Sequence, residues 1–148
     1  MKAEELMIGD LVQFACFDKS TITVKVTAIG NNIDGDSDTG SHWCNIKNVL
    51  PIPLTAELLV QNGWKKVPQP NCANPYHWEL SKYEDDKEDD AYLLYRVKAY
   101  ETFFRGMLIS ISRPSCEDIS FRKQVEHVHE LQHALRNCDI EKEIVIKN

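Results

Sequence analysis

The residues best equipped for chemistry are His129-Glu130-Leu131-Gln132-His133. Two histidines one helical turn apart can ligate the same zinc ion, and a glutamate beside the first can polarise metal-bound water. In that scheme Glu130 is catalytic and His129 and His133 are ligands. A third ligand is still needed. The extended form of such a site wants a glycine three residues after the second histidine and a ligand three residues beyond it. This chain has Arg136 and Asp139 at those places, and arginine lacks glycine's conformational freedom for the required turn. The other common arrangement takes a glutamate from a later helix, but little chain follows His133, with Glu141 and Glu143 as its only glutamates. A zinc hydrolase using Glu130, with His129, His133 and Asp139 around the metal, is therefore the alternative reading. The preferred one assigns no catalytic residue, metal or cofactor, and treats His129, Gln132 and His133 as a binding surface on a solvated helix face.

Weaker candidates lie elsewhere. Asp34, Asp36 and Asp38 place carboxylates at alternate positions, as in the opening of a calcium loop. Thr39 then stands where the loop needs glycine and Asn45 where it needs a closing glutamate, so a polar hairpin tip is expected. Cys44 lies two residues from His42, and Cys138 sits on the apolar flank of the C-terminal helix; neither carries the local pattern of a thiol nucleophile. Trp43, Trp64, Trp78, Tyr92, Tyr95, Tyr100, Phe103 and Phe104 are divided by expectation between core and interface, because aromatics concentrate at interface centres.

Those groups must be positioned by folded elements, and the composition provides for them. The chain has 148 residues, 43% of them hydrophobic, enough to bury a core. Its formal net charge of −6 disfavours non-specific binding to nucleic acid. Such a role, the second alternative, would need a local basic face drawn from Lys65, Lys66, Arg96, Lys98 and Arg105. No apolar run is long enough to span a bilayer and no apolar signal core opens the chain, so a cytoplasmic protein without membrane partners is expected. Five scattered cysteines (Cys16, Cys44, Cys72, Cys116, Cys138) with no CxxC pair suit free thiols in a reducing compartment.

Residues 124–139 read as the longest helix. Val125, Val128, Leu131, Leu135 and Cys138 recur every three or four positions, and at about 100° per residue they share one side. Upstream, alternation and β-branched residues predict strands at 11–17, 21–29, from 33, and 42–46. Short strands at this spacing suggest an SH3-like small barrel over residues 1–53. Pro51-Ile52-Pro53 forms a seam too short and apolar for a free linker. Beyond it, Thr55 caps a short helix, Glu57 favours its positive end, Leu54 staples its first turn and Gly63 ends it, with Trp64 packing back. Strands follow at 65–67, 77–82, 91–99 and 102–112; residues 117–121 read as a last short strand or the lead into the long helix, and 144–146 as an added edge strand. The acidic run 84–90 makes an exposed loop. The chain is thus expected to be α+β, with residues 54–148 forming an antiparallel sheet packed by the long C-terminal helix.

Two sets of residues carry a resemblance. Leu6-Met7-Ile8-Gly9-Asp10 with Pro51-Ile52-Pro53-Leu54-Thr55 through Gly63-Trp64, and later Val128 to Leu135, resemble small uncharacterised proteins of Bacteroides-type gut bacteria and their prophages. The resemblance covers both ends of the chain but not the middle strands or the acidic loop. It implies that Val128, His129, Leu131 and Gln132 form a structural or binding signature, with Glu130 and His133 not fixed. It implies no activity. The role expected from all of this is a non-catalytic protein-interaction module of mobile-element origin, with a protein partner.

Overall fold

The structure, a computed structural model, describes residues 1–103, 105–114 and 119–147, and leaves out the side chains of Ile119 and Ser120. Phe104, Cys116 and the first residues of the strand expected at 117–121 lie outside the described residues. The fold is α+β, with two antiparallel five-stranded sheets and a helix near the C-terminus. The chain divides into two compact units. Residues Met1–Pro53 with His127–Gln132 form one, and Leu54–Glu126 with His133–Asn148 form the other.

In the first unit, β1 (Leu11–Ala15), β2 (Thr21–Ile29), β3 (Ile33–Ser37) and β4 (Gly40–Cys44) make a meander, and β5 (Val49–Leu50) returns to pair with β1 after a 3-10 turn at Ile46–Asn48. The sheet order is β4-β3-β2-β1-β5. Among the described residues no pairing of β4 with β5 closes it, so the expected barrel is met by an open set of pairings. Alternation decides the faces. Val12, Phe14, Val24, Val26 and Ile33 point into a core completed by Leu6 and Val49, while Gln13, Thr23 and Lys25 alternate outward. A register shift between Val26 and Ala28 interrupts β2, and such an irregularity bends a strand.

In the second unit, α1 (Ala56–Gln61) precedes β6 (Lys65–Pro68), β7 (Tyr76–Tyr83), β8 (Leu93–Glu101), β9 (Met107–Arg113) and β10 (Ile119–Val125). These five form a pure meander, β10-β9-β8-β7-β6. The Thr55 hydroxyl accepts the Leu58 N–H at 3.3 Å, and Gly63 (φ 86°) allows Trp64 N–H to reach Leu59 C=O at 3.0 Å, so both ends of α1 are satisfied as expected. Thr55→Ala should cost about 1 kcal/mol of stability, read as a lower urea midpoint. Trp78, Val97, Ala99, Met107, Ile109 and Ile111 are buried and fall on one face of the sheet by register. The expected edge strand at 144–146 is absent. Instead the Asn62 carboxamide accepts Val145 N–H at 2.7 Å and donates to Val145 C=O at 2.8 Å. A single side chain does there what a neighbouring strand would do.

The long helix, α2, spans Val128–Asn137, starting later than residue 124 because Gln124 and Val125 finish β10. It ends on a left-handed residue, Asp139 (φ 54°). The Ile140 N–H bonds Leu135 C=O at 2.9 Å and the Asp139 N–H bonds Arg136 C=O at 3.0 Å, the paired bonds of a Schellman stop.

Candidate functional site

Every residue of the expected apolar stripe is buried: Val125, which the structure places in β10, Val128, Leu131 and Leu135 in α2, and Cys138 just past its end. The other side departs from expectation. His129 is 5% exposed and Gln132 8% exposed, so neither lies on a solvated face; only Glu130, His133, Arg136 and Asn137 are partly or fully open. Apolar periodicity reveals a helix's greasiest side but not how far burial extends around it.

The polar groups there hold the fold of the first unit. The Gln132 carboxamide accepts Leu11 N–H at 2.9 Å and donates to Gly9 C=O at 3.2 Å. It thereby engages the entry to β1, beside the fully buried Asp10, whose Oδ2 accepts Met7 N–H at 2.8 Å. The Glu130 Oε2 accepts the N–H of His127 at 2.9 Å and lies 3.3 Å from His127 Nδ1. That is the backward reach of a third-position glutamate onto the residue that caps a helix. His127 stacks on His129, with ring centroids 5.6 Å apart and planes 14° apart. Gly9 of the Leu6–Asp10 stretch therefore meets Gln132 of the helix directly.

The metal alternative does not assemble. Among the described residues no group of three His, Cys, Asp or Glu side chains converges as a metal site, and His129, His133 and Asp139 are not such a group. Asp139 is instead the left-handed stop of the helix. Asp34 and Asp36 are not at a hairpin tip; they lie within β3, where the Asp36 carboxylate accepts the Ser41 hydroxyl at 2.7 Å. His42 faces Ser37 and Thr39 hydroxyls at 2.8 and 3.2 Å. Burial pushes the Cys44 and Cys138 thiols up, the wrong direction for a thiolate nucleophile. Trp64 and Trp78 belong to the core, while Trp43, Phe103 and Tyr92 are exposed. Tyr95 and Tyr100 are half-buried.

Sequence reasoning missed a second polar constellation, on the second sheet's other face. Register places Lys65, Glu79, Lys98, Ser110 and Arg122 directly opposite one another, in one row across all five strands. Arg96 occupies the next row, opposite Ser81. Glu79 is the hub. It accepts the Ser81 hydroxyl at 2.9 Å, lies 3.3 Å from His77 Nε2 and pairs with Arg96 Nε at 3.1 Å. The Arg96 fork continues to Tyr83 OH at 3.3 Å and Asp90 Oδ1 at 2.8 Å. His77 is itself buried and packs on Tyr100 at 5.3 Å. The acidic run, exposed as expected, bends back at Asp85 and Asp86, both left-handed, bringing Glu88 to 3.8 Å from Lys65. A cavity of about 260 Å³ lies beside it, lined by Lys65, Val67, Glu79, Ser81, Tyr83 and Glu88 among others. Of the basic candidates, Lys66 instead lies over the Tyr76 ring at 4.2 Å. Cross-strand pairing set this row, and it could be found only once the register of five strands was fixed.

Burial by itself would raise the Glu79 carboxyl, but hydrogen bonds from Ser81 and His77 and the charges of Arg96 and Lys98 outweigh it and hold its pKa below the ordinary 4.5. A depressed carboxylate adds stability that is present above its unfolded pKa and lost as pH falls through its folded one. Denaturation midpoints should therefore drop on acidification through that range, and Glu79→Gln should flatten that part of the profile.

Comparison with protein-family models, with curated proteins and with solved structures finds no match to this chain.

Proposed function

We propose that the protein is a non-catalytic interaction module that engages another protein. One observation carries this: the residues of the HELQH string are spent on the fold, with Gln132 pinned to the entry of β1 and Glu130 holding the start of α2. A metalloprotease needs Glu130 directed at a metal-bound water instead. Exposed aromatics on both units, Trp43 on one and Phe103 on the other, supply the contact chemistry of an interface. In the same reading the first unit rolls as an SH3-like small barrel. The order β4-β3-β2-β1-β5, the bend in β2 and the 3-10 turn before β5 support that. Among the described residues no helix is long and apolar enough to cross a membrane; the reading is completed by a cytoplasmic location and by a mobile-element origin, which the resemblance of both chain ends supports.

The test is elemental analysis after zinc-replete purification, together with cross-linking and affinity capture at native expression level. The expected result is zinc at background level, unchanged by His133→Ala, and a partner recovered at constant stoichiometry. One zinc per chain, lost in His129→Ala or His133→Ala, would overturn the reading in favour of the hydrolase. So would the failure of any partner to cross-link.

A further inference from the structure

The open face of the second sheet concentrates positive charge in an acidic chain. Lys65, Arg96, Lys98 and Arg122 stand on it, against the single carboxylate of Glu79 within the strands. Whole-chain net charge is −6, so this is a local reversal of sign. The carboxylates that meet it come from outside the sheet. Asp90 takes the Arg96 fork and Glu88 stands near Lys65, both from the acidic run Glu84, Asp85, Asp86, Lys87, Glu88, Asp89, Asp90. Two carboxylates of the loop thus reach back onto cations of the face. The pair of Glu88 and Lys65 is solvent-exposed on both sides (76% and 79%), and in the other pair Asp90 is 77% exposed on an Arg96 that is 24% exposed. The carboxylates, being the exposed members, are the ones a competing carboxylate can replace, and the exposed pair is of the kind whose net strength is small.

We propose that this face is a docking surface for an acidic peptide segment of a partner protein, and that the chain's own acidic loop occupies part of it until the partner displaces the loop. The proposal rests on the interaction-module reading and names that module's partner chemistry. Two observations favour a peptide over nucleic acid. The row is not uniformly basic: Glu79 stands between Lys65 and Lys98, and Ser110 between Lys98 and Arg122, at the roughly 5 Å spacing of neighbouring strands. A ligand with side chains of both signs matches that pattern, whereas a uniform line of phosphates meets Glu79. The adjoining cavity of about 260 Å³ adds Val67 and Tyr83, apolar and aromatic surface suited to a side chain.

The test uses the full-length protein and a fluorescein-labelled, net-acidic peptide of repeated Glu-Glu-Lys, read by anisotropy at low salt, with single-stranded DNA of matching net charge as the second probe. A loop-neutralised variant, Glu88→Gln with Asp89→Asn and Asp90→Asn, should bind the peptide at least about tenfold more tightly than the parent. Adding Lys65→Gln and Lys98→Gln should abolish that gain while leaving the thermal midpoint near that of the loop variant. Raised salt should weaken binding. Equal peptide affinity in parent and loop variant would overturn the proposal. Tighter binding of DNA than of peptide would also overturn it, in favour of nucleic acid, and so would a gain that survives loss of Lys65 and Lys98. None of these outcomes touches the zinc and cross-linking results on which the broader reading stands.

Discussion

Gln132→Ala should lower the free energy of unfolding by roughly 2–4 kcal/mol, because it strands two backbone groups at once. The Leu11 N–H loses its acceptor and the Gly9 C=O its donor, and neither is replaced, since Gln132 is itself buried. Each orphaned buried group costs about 1–3 kcal/mol, and partial access of water near residues 9 and 11 keeps the sum toward the low end. Urea denaturation followed by tryptophan fluorescence is the measurement, and its slope should stay constant if only stability changes. Gln132→Glu separates the two bonds: a carboxylate keeps the acceptor for Leu11 but has no donor for Gly9, and it buries a charge. A midpoint for Gln132→Ala within experimental error of the parent would show that this carboxamide holds nothing.

Gly106→Ala should cost more than an ordinary turn substitution, roughly 2–5 kcal/mol. Gly106 has φ 81°, where an L-residue pays about 1–2 kcal/mol. A β-carbon there would also fall onto the carbonyl oxygen of Val125 in the neighbouring strand, and relieving such a clash by moving backbone costs about another 1–3 kcal/mol. Gly63→Ala is the control. Its φ is similar at 86°, but nothing lies within 4 Å of the added carbon, so only the dihedral cost applies. Equal losses at the two positions would mean that β9 and β10 yield freely at that corner.

These two sites mark where sequence reading succeeds and where it stops. Local signals were legible. β2 was expected at 21–29 and is found at Thr21–Ile29; the Thr55 cap, the Gly63 stop and the apolar stripe of α2 follow from rules that act over a few residues. Even the role of Glu130 had a local signal, a glutamate three residues after His127, but the zinc-like spacing competed with it. Gln132 had none, because its partners Gly9 and Leu11 lie more than a hundred positions away. The same holds for the charged row on the second sheet. Lys65, Glu79, Lys98 and Arg122 are unremarkable one by one, and only the register of four strand pairings lines them up. The strand expected at 144–146 failed for a related reason: alternation is blind to a side chain such as Asn62 standing in for a strand.

That substitution makes Val145 a natural reporter in isotope exchange. Its amide proton is held by Asn62, and Asn62 is the residue that closes α1, its own N–H bonding Leu58 C=O at 3.1 Å. In deuterated solvent the proton at residue 145 can swap only when that carboxamide lets go, so a site near the chain's end should keep time with the fraying of a helix more than eighty residues earlier.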